Sequence, residues 1–242
     1  MRQPGPRHGL ARVLSKRGLC SRSEAERLIR DGRVKLDGRT IHDPEHPADL
    51  QCAIIDVDGI EAVAAAPIRL MLNKPRGLLT TLRDERGRDT VYRCFDGVEL
   101  GHVAPVGRLD KASEGLLLFS NDPAWAARLT DPATGPDKTY HVQVDCIPGA
   151  PQLRAMHDGV DHDGAILRAK SASLLRAGEK NAWLEIVLDE GRNRQIRRLL
   201  AALDIGVLRL VRVAIGALQL GDLPKGQWRE LTEAEVAALG GD

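Results

Sequence analysis

The sequence predicts a mixed α+β fold in two parts, the larger of which holds a mainly antiparallel sheet. Two observations predict the sheet: from residue 68 onward strand-like segments outnumber helical ones, and they do not alternate regularly as around a parallel sheet. The division is predicted because the first 40 residues of this 242-residue chain have a charge balance of their own. We therefore predict a small helical and hairpin domain over residues 1–60, a linker over 61–67 and the larger domain over 68–242.

Two helices and a hairpin are predicted in the small domain. Apolar residues recur at helical spacing from Leu10 onward until Gly18 ends the first helix. The second helix starts at Ser21, because Glu24 three residues later completes a capping-box pattern. Residues 33–39 then alternate in the manner of a strand that enters an Asp-Gly turn. The linker follows where a run of alanines ends in proline.

Six strands are predicted in the larger domain. Each is a short run of apolar or alternating residues, bounded by turn-forming residues such as Gly, Asn and Asp. They cover residues 68–72, 115–119, 140–145, 165–170, 182–188 and 207–215.

Three helices are predicted among these strands. The first begins at Pro123, because proline fits the first helical position and an Asx cap precedes it. The second covers residues 195–203 and carries a stripe of isoleucine and leucine that we expect to be buried. The third opens at Thr232, where Glu235 again completes a capping box.

The first 40 residues are strongly basic, although the net charge of the chain is +1. They hold eleven lysines and arginines against four acidic residues, so this segment carries +7 and the remainder −6. Such a segment is typical of a domain that neutralises phosphates, and a solvated charged face is the alternative. No aromatic residue precedes Tyr92, so stacking on bases is not expected there. The candidate polyanion-binding residues of this segment are Arg12, Lys16, Arg17, Arg22, Arg27, Arg33 and Lys35.

Several functional classes lack their sequence signatures. No apolar run approaches the roughly 18 residues that a membrane span needs, and residues 1–10 lack the apolar core of a secretory signal, so we expect a cytoplasmic protein with no membrane partner. The loop over residues 157–163 is rich in His and Asp, but its spacing fits neither a zinc nor a calcium site, and no metal is expected. The four cysteines, expected to be reduced because they lie far apart, are Cys20, Cys52, Cys94 and Cys146.

One carboxylate is the leading candidate for a catalytic group. Asp110 ends the run Gly107-Arg108-Leu109-Asp110, and a buried-looking strand follows within a few residues. An acid beside a guanidinium on a glycine turn is a common mounting for a catalytic carboxylate, although an Asp after such a turn is more often a structural cap.

Four motifs, taken in chain order, resemble those of the ribosomal-RNA pseudouridine synthases of the RsuA type. They are Asn73-Lys74-Pro75, Gly107-Arg108-Leu109-Asp110, Lys138-Thr139-Tyr140 and the run from Glu190 to Arg198. The resemblance implies isomerisation of a uridine to pseudouridine within ribosomal RNA, without a metal or redox cofactor. It also implies a mixed α+β catalytic fold, in which the first motif has a mainly structural role.

The resemblance also implies roles for single residues. Asp110 would be the catalytic acid, as nucleophile at the sugar or as the base that removes a sugar proton, and both remain open. Tyr140 would stack on a flipped-out uracil, with core packing as its alternative, and Arg197 would pair with Asp110. Arg108 is expected to point away from Asp110, toward a backbone phosphate or the space that the extruded uridine leaves. The other expected RNA contacts are Lys138, Arg192, Arg194 and Arg198, the last two on one helical side with Arg197.

A second resemblance covers about residues 9–58. The runs over residues 19–25 and 32–38 resemble the small RNA-binding domain first known from a ribosomal small-subunit protein. This domain occurs in several families, so it implies RNA as the partner and no particular reaction. We expect a monomeric enzyme acting on ribosomal RNA; a non-catalytic RNA-binding factor and a hydrolase that releases uracil are the alternatives.

Overall fold

The computed structural model describes residues 7–82 and 84–240. Arg2, one of the basic residues counted above, and most of the segment inspected for a secretory signal lie outside these ranges. The chain forms two compact units that interleave in sequence. The first comprises Met1–Arg69, Gly97–Ala104 and Phe119–Ala126, and the second comprises Leu70–Asp96, Pro105–Leu118 and Ala127–Asp242.

Helices are short throughout residues 7–82 and 84–240, and none of them is both long and apolar enough to cross a lipid bilayer. One turn of 3-10 helix, Val91–Phe95, stands apart from the α-helices. The α-helices are α1 (Leu10–Lys16), α2 (Arg22–Arg30), α3 (Pro123–Thr130), α4 (Ala150–Asp158), α5 (Gln195–Ala201) and α6 (Glu233–Ala238).

Strands dominate the structure, as the sequence predicts. They are β1 (Arg7–Gly9), β2 (Val34–Leu36), β3 (Arg39–Thr40), β4 (Pro47–Asp49), β5 (Ile55–Val57), β6 (Ile60–Glu61), β7 (Arg69–Lys74), β8 (Ala104–Val106), β9 (Glu114–Ser120), β10 (Lys138–Val144), β11 (Val160–His162), β12 (Ala165–Leu167), β13 (Ser171–Ala177), β14 (Ala182–Leu188), β15 (Val207–Ile215), β16 (Leu218–Gln219) and β17 (Trp228–Glu230).

The N-terminal part of the first unit is built from α1, α2 and a four-stranded antiparallel sheet of order β3-β2-β5-β6. The predicted cap of α2 is present, since the Ser21 hydroxyl accepts from the Glu24 amide at 3.1 Å. The predicted hairpin turn is also present, with positive φ at Asp37 and Gly38. The apolar side chains of both helices and the sheet enclose one core: Leu10, Ala11, Val13, Leu14, Ala25, Leu28, Ile29, Val34, Leu36, Ala48, Ile55 and Ala62.

A nine-stranded sheet organises the second unit. Its order is β13-β14-β10-β15-β9-β7-β17, with β16 paired to β15 and β8 paired to β9. The pairs on both sides of β10 are antiparallel, and β9 pairs with β15 in parallel. This arrangement confirms the predicted mixed α+β class with a mainly antiparallel sheet. One buried core joins this sheet with α4, α5 and β12: Val142, Val144, Met156, Leu167, Leu184, Ile186, Leu188, Ile196, Leu199, Leu200 and Leu210.

Element boundaries follow the sequence where the pattern is strong and depart from it where it is weak. The predicted strand over 165–170 is shorter, because it pairs as β12 with β11 across a turn at Asp163 and Gly164 and ends at Leu167. Helix α5 ends at Ala201, two residues before its predicted end. The sequence did not reveal α4, which buries Met156 alone, or the edge strand β13, whose side chains are mostly exposed.

Candidate active site

The loop that carries Asp110 joins β8 to β9 and is fixed from both sides. Gly107 turns the chain with a positive φ of 74°. The Thr80 hydroxyl donates to the Leu109 carbonyl at 2.7 Å and accepts from the Leu109 amide at 3.3 Å. The Ser113 amide donates to the Asp110 carbonyl at 2.9 Å. The backbone around the candidate acid is therefore held before any substrate arrives.

Lys74 ties the end of β7 to the same loop. Its side chain is fully buried, and its Nζ donates to the carbonyls of Pro75 at 3.1 Å, Asp110 at 3.2 Å and Ser113 at 2.8 Å. Burial lowers the pKa of Lys74 to about 8, while the nearby Asp110 carboxylate acts in the opposite direction. Its three acceptors leave it no donor for a substrate, which agrees with the structural role expected of the Asn73-Lys74-Pro75 motif.

Asp110 opens onto a cavity of about 210 Å³. Among the described residues, six cationic side chains and one acid line it, so its net positive charge favours an anionic ligand. Apolar side chains, among them Leu118 and Leu210, form the rest of its wall. Its charged members are Arg108, Asp110, Lys138, Arg192, Arg194, Arg197 and Arg212.

Two arginine predictions need correction at this cavity. Arg194 makes the ion pair with Asp110, at 3.5 Å between Nη1 and Oδ2, whereas Arg197 was predicted to do so. Arg197 is half-buried and its Nη2 donates to the Ala112 carbonyl at 3.3 Å.

Arg194 was also predicted to share one side of a helix with Arg197 and Arg198. That prediction is wrong, because Arg194 precedes α5 and has a left-handed backbone conformation with φ 50°. Arg198 does not line the cavity.

Arg108 departs from its prediction as well. It was expected to point away from Asp110, yet both side chains line the same cavity. Residues two apart in an extended segment share a side, which accounts for the difference. Arg108 is exposed, so its guanidinium lies where an RNA backbone could reach it.

Strand β10 contributes the tyrosine and the lysine of the third motif. Tyr140 is half-buried, lines the cavity and packs against the core of the second unit. Lys138, two residues earlier, shares that side of the strand and also lines the cavity. Burial is the main reason that the pKa of Lys138 is lowered, and the charge of Arg212 adds to the effect. The structure therefore brings Asp110, Tyr140 and Arg197 together around one space, as the motifs predict.

Two buried polar residues to which the sequence analysis assigned no role, Gln195 and Glu114, support this arrangement. Gln195 is buried, donates to Glu190 at 2.6 Å and accepts from the Arg192 amide at 3.1 Å, which fixes the turn before α5. Glu114, the first residue of β9, is 3% exposed and accepts from Arg209 at 2.7 Å and from Lys225 at 2.6 Å. Burial alone would raise the pKa of Glu114, but these two cations lower it. The only sequence signal for the role of Glu114 was a carboxylate at the start of an otherwise apolar strand.

Comparison with known proteins identifies the family. The model of the RNA pseudouridylate synthase family matches residues 69–202, more than half of the chain, and the S4 domain model matches residues 9–51. The chain belongs to the RNA pseudouridylate synthase family. It is an isomerase that makes pseudouridine in RNA, and the predicted combination of this enzyme with an N-terminal RNA-binding domain is confirmed.

Relatives of this synthase match along nearly their whole length. An uncharacterized RNA pseudouridine synthase of Rickettsia prowazekii is 38% identical over 224 residues, which cover 92% of this chain and 94% of the relative. One of Aquifex aeolicus is 35% identical over 229 residues, covering 94% and 92%. A solved structure described as a pseudouridylate synthase is 29% identical with a TM-score of 0.68, covering 96% of this chain and 99% of its own.

The seven candidate RNA-binding residues of the S4 domain fall into three groups. Arg17 turns inward, where it donates to the carbonyls of Ala53 at 2.8 Å, Leu50 at 3.1 Å and Ala62 at 3.4 Å, and burial lowers its pKa. The predicted RNA contact of Arg17 is therefore corrected to a structural role. Three others share their charge with surface acids: Arg22 with Glu26 and Glu45, Arg27 with Glu24 and Asp31, and Arg33 with Asp58.

The third group remains available to a polyanion. Arg12 and Lys35 are exposed, and neither has an acidic partner within the part of the chain that the structure describes. Lys16 is half-buried, and its Nζ lies 3.1 Å from His8 Nε2. Cations without a partner gain more from a phosphate than paired ones, because no existing ion pair has to break.

Exchanging Arg12 and Arg17 separately for methionine is expected to give opposite phenotypes. Arg17→Met leaves three carbonyls without their donor and should lower the free energy of unfolding by about 2 kcal/mol or more. Arg12→Met should change the free energy of unfolding by less than about 0.5 kcal/mol. It should weaken RNA binding and reduce the slope of log affinity against log salt concentration by about one. Urea denaturation and RNA binding at several salt concentrations measure the two effects. Equal stability of both variants would contradict the structural role of Arg17.

Proposed function

We propose that this synthase converts a uridine of ribosomal RNA to pseudouridine in the cavity around Asp110. The observation that carries the proposal is the composition of that cavity, in which one carboxylate faces a tyrosine and six cations. A target inside a stacked RNA must be extruded before side chains can reach its sugar, and a cationic cavity suits the extruded nucleotide and its phosphates. The ribosomal substrate is supported by the RsuA-type motifs and by the N-terminal domain.

The reaction needs a group that helps to break and remake a glycosidic bond. The bond between C1′ and N1 of the uracil breaks, the base turns, and a bond between C1′ and C5 forms. Asp110 serves as nucleophile at the sugar or as the base that removes a sugar proton, and its place beside the cavity suits either role. Neither role consumes a cofactor, because atoms and electrons balance within the nucleotide.

Other residues of the cavity divide the remaining work. Tyr140 provides a ring for the extruded uracil to stack on. Burial is the main reason that the pKa of Arg197 is lowered, while the nearby Asp110 carboxylate acts in the opposite direction. The buried Nε of Arg197 has no partner within residues 7–82 and 84–240. Arg197 therefore stabilises the ionised acid by its field while Arg194 makes the direct contact. Phosphates of the RNA are assigned to Arg108, Lys138, Arg192, Arg194 and Arg198.

The N-terminal segment is assigned to substrate docking. We infer a small RNA-binding domain over residues 1–60, a linker over 61–67 and a catalytic domain over 68–242, acting as a monomer in the cytoplasm. Arg12, Lys16 and Lys35 supply the cations without acidic partners described above. The paired residues Arg22, Arg27 and Arg33 contribute where a phosphate displaces the acid.

Mapping pseudouridines in ribosomal RNA at single-nucleotide resolution tests the proposal. Cells that lack the gene should lose modification at one or a few positions, and the intact gene should restore it. An unchanged map would overturn the ribosomal substrate. Release of free uracil from the RNA by the purified protein would instead indicate a hydrolase, the alternative that retains Asp110 but not the rejoining step.

A further inference from the structure

Arg212 of β15 is the most deeply buried cation of the cavity wall, and the scheme above gives it no role. It is 5% exposed, and its Nε donates to the Leu116 carbonyl at 2.7 Å. Its terminal nitrogen Nη2 is wholly buried and has no acceptor within the described residues. Arg212 lies directly across from Tyr140 in the register of β10 and β15. A guanidinium thus stands unsatisfied next to the ring proposed to hold the base.

Such a group is costly unless something completes it. A buried donor without an acceptor destabilises the fold, and a buried charge without a partner destabilises it more. The nearby Lys138 adds a second positive charge to the same region, so leaving Arg212 without an anionic partner costs more. A substrate oxygen that carries negative charge would accept the hydrogen bond that Arg212 leaves unmade and would offset its positive charge.

The surroundings of Arg212 favour the base over the phosphate as the source of that oxygen. Apolar side chains of Leu118, Leu188 and Ile215 line the cavity around it, which suits a flat heterocycle. Exposed arginines such as Arg108 and Arg194 are better placed for phosphates, which retain their hydration at the surface.

We propose that Arg212 is a further catalytic residue, which donates a hydrogen bond to a carbonyl oxygen of the reacting uracil and stabilises the negative charge of the detached base. The proposal rests on the proposed function of the cavity. When the bond between C1′ and N1 breaks, its electron pair stays with the uracil, and the charge spreads over N1 and both carbonyl oxygens. A fixed cation at one of these oxygens is the electrostatic aid that such a step needs.

The isomerisation itself makes one fixed donor sufficient. The uracil turns about the axis through N3 and C6, which brings C5 to the place of N1 and exchanges the two carbonyl groups. The same site beside Arg212 therefore holds a carbonyl oxygen before and after the turn. C5 then bonds to C1′ and loses its proton while N1 gains one through solvent, so the sum of atoms and charges is unchanged.

Sulfur substitution in the substrate tests this contact atom by atom. The substrate is a transcript of the mapped site with uridine, 2-thiouridine or 4-thiouridine at the target, and the readout is the single-turnover rate at saturating enzyme. Sulfur accepts hydrogen bonds weakly. For the wild type, the contact should contribute about tenfold to the slowing by at least one of the two thio substitutions, the one at the carbonyl that faces Arg212 in the slow step, because a charged donor loses its acceptor. Arg212→Met should lower the uridine rate by about 10²-fold or more.

The deciding quantity is the coupling between the residue and the sulfur. In Arg212→Met the penalty of that thio substitution should shrink by about tenfold, because the contact that sulfur weakens is already gone, whereas any intrinsic change in reactivity cancels in the comparison. Arg176→Met, which alters an arginine on the exposed edge strand, should retain the full penalties. Penalties of equal size in the wild type and in Arg212→Met would overturn the proposal.

Further readouts keep the outcome decisive. If Arg212→Met fails to fold, the wild type still decides, because rates that 2-thiouridine and 4-thiouridine leave unchanged would refute a carbonyl contact. If Arg212→Met loses only RNA affinity, and the slope of log affinity against log salt concentration falls by about one, then Arg212 contacts a phosphate and the uracil contact is overturned. A wild type that converts no uridine would remove the proposed function and this proposal together, whereas conversion with equal thio penalties removes this proposal alone.

Discussion

Asp110→Asn is expected to abolish pseudouridine formation while RNA binding survives. The amide is nearly the same size as the carboxylate, but it can neither attack the sugar nor remove its proton, so the single-turnover rate should fall by at least about 10³-fold. Affinity for RNA should stay equal or increase, because the substitution removes the one acid that faces six cations among the described residues of the cavity. Pseudouridine formed on a transcript and binding of the same transcript measure the two effects.

Stability should hardly respond to this substitution. The pair between Asp110 and Arg194 spans 3.5 Å, and the arginine side chain is half exposed, so the pair contributes at most about 1 kcal/mol. Asp222→Asn is a matched control, because that residue is an exposed aspartate in a turn outside the cavity, and it should leave the rate unchanged. Pseudouridine formation by Asp110→Asn at the control rate would show that another group performs the chemistry.

Local sequence patterns predicted the elements whose stabilisation is local. Strands β14 and β15 have the predicted bounds, because the alternation in their sequences marks one buried face. The predicted capping box forms at Thr232, and at Ser21 its hydroxyl half forms while the Glu24 carboxylate pairs with Arg27. The order of the nine strands could not be inferred in the same way. The parallel contact of β9 with β15 joins residues almost a hundred positions apart, and no periodicity within either strand specifies that partner.

At the candidate site, too, the sequence indicated individual residues but not their tertiary contacts. Residue identity within motifs indicated Asp110 and Tyr140, because their chemistry is visible in the side chain itself. The partner of Asp110, the inward turn of Arg17 and the burial of Arg212 depend on which carbonyls and carboxylates the fold brings near each guanidinium. Arginine is equally suited to phosphates, acids and carbonyl oxygens, so its role is set by tertiary contacts.

Gly115→Ala is expected to be the most destabilising single-methyl change in the second unit. Gly115 has a φ of 99°, and a Cβ there would overlap the carbonyl oxygen of Arg212 and lie 2.8 Å from its amide nitrogen. Both are backbone atoms of β15, so no side chain can rotate away to relieve the overlap. Strain and overlap together should lower the free energy of unfolding by about 3 kcal/mol or more, which thermal denaturation would show as a lower Tm.

Comparison with Gly221→Ala separates the two causes of the expected loss of stability, the strain of a positive φ and the overlap with β15. Gly221 also has a positive φ, 58°, but a Cβ there meets nothing within 4 Å, so this variant should lose only about 1 kcal/mol for its backbone conformation. The excess loss in Gly115→Ala then measures how closely β9 approaches β15. Because the displaced segment of β15 carries Arg212, Gly115→Ala should also lose activity at temperatures well below its Tm, while Gly221→Ala keeps its rate. Equal Tm values for the two variants would contradict the parallel pairing that brings Gly115 against Arg212.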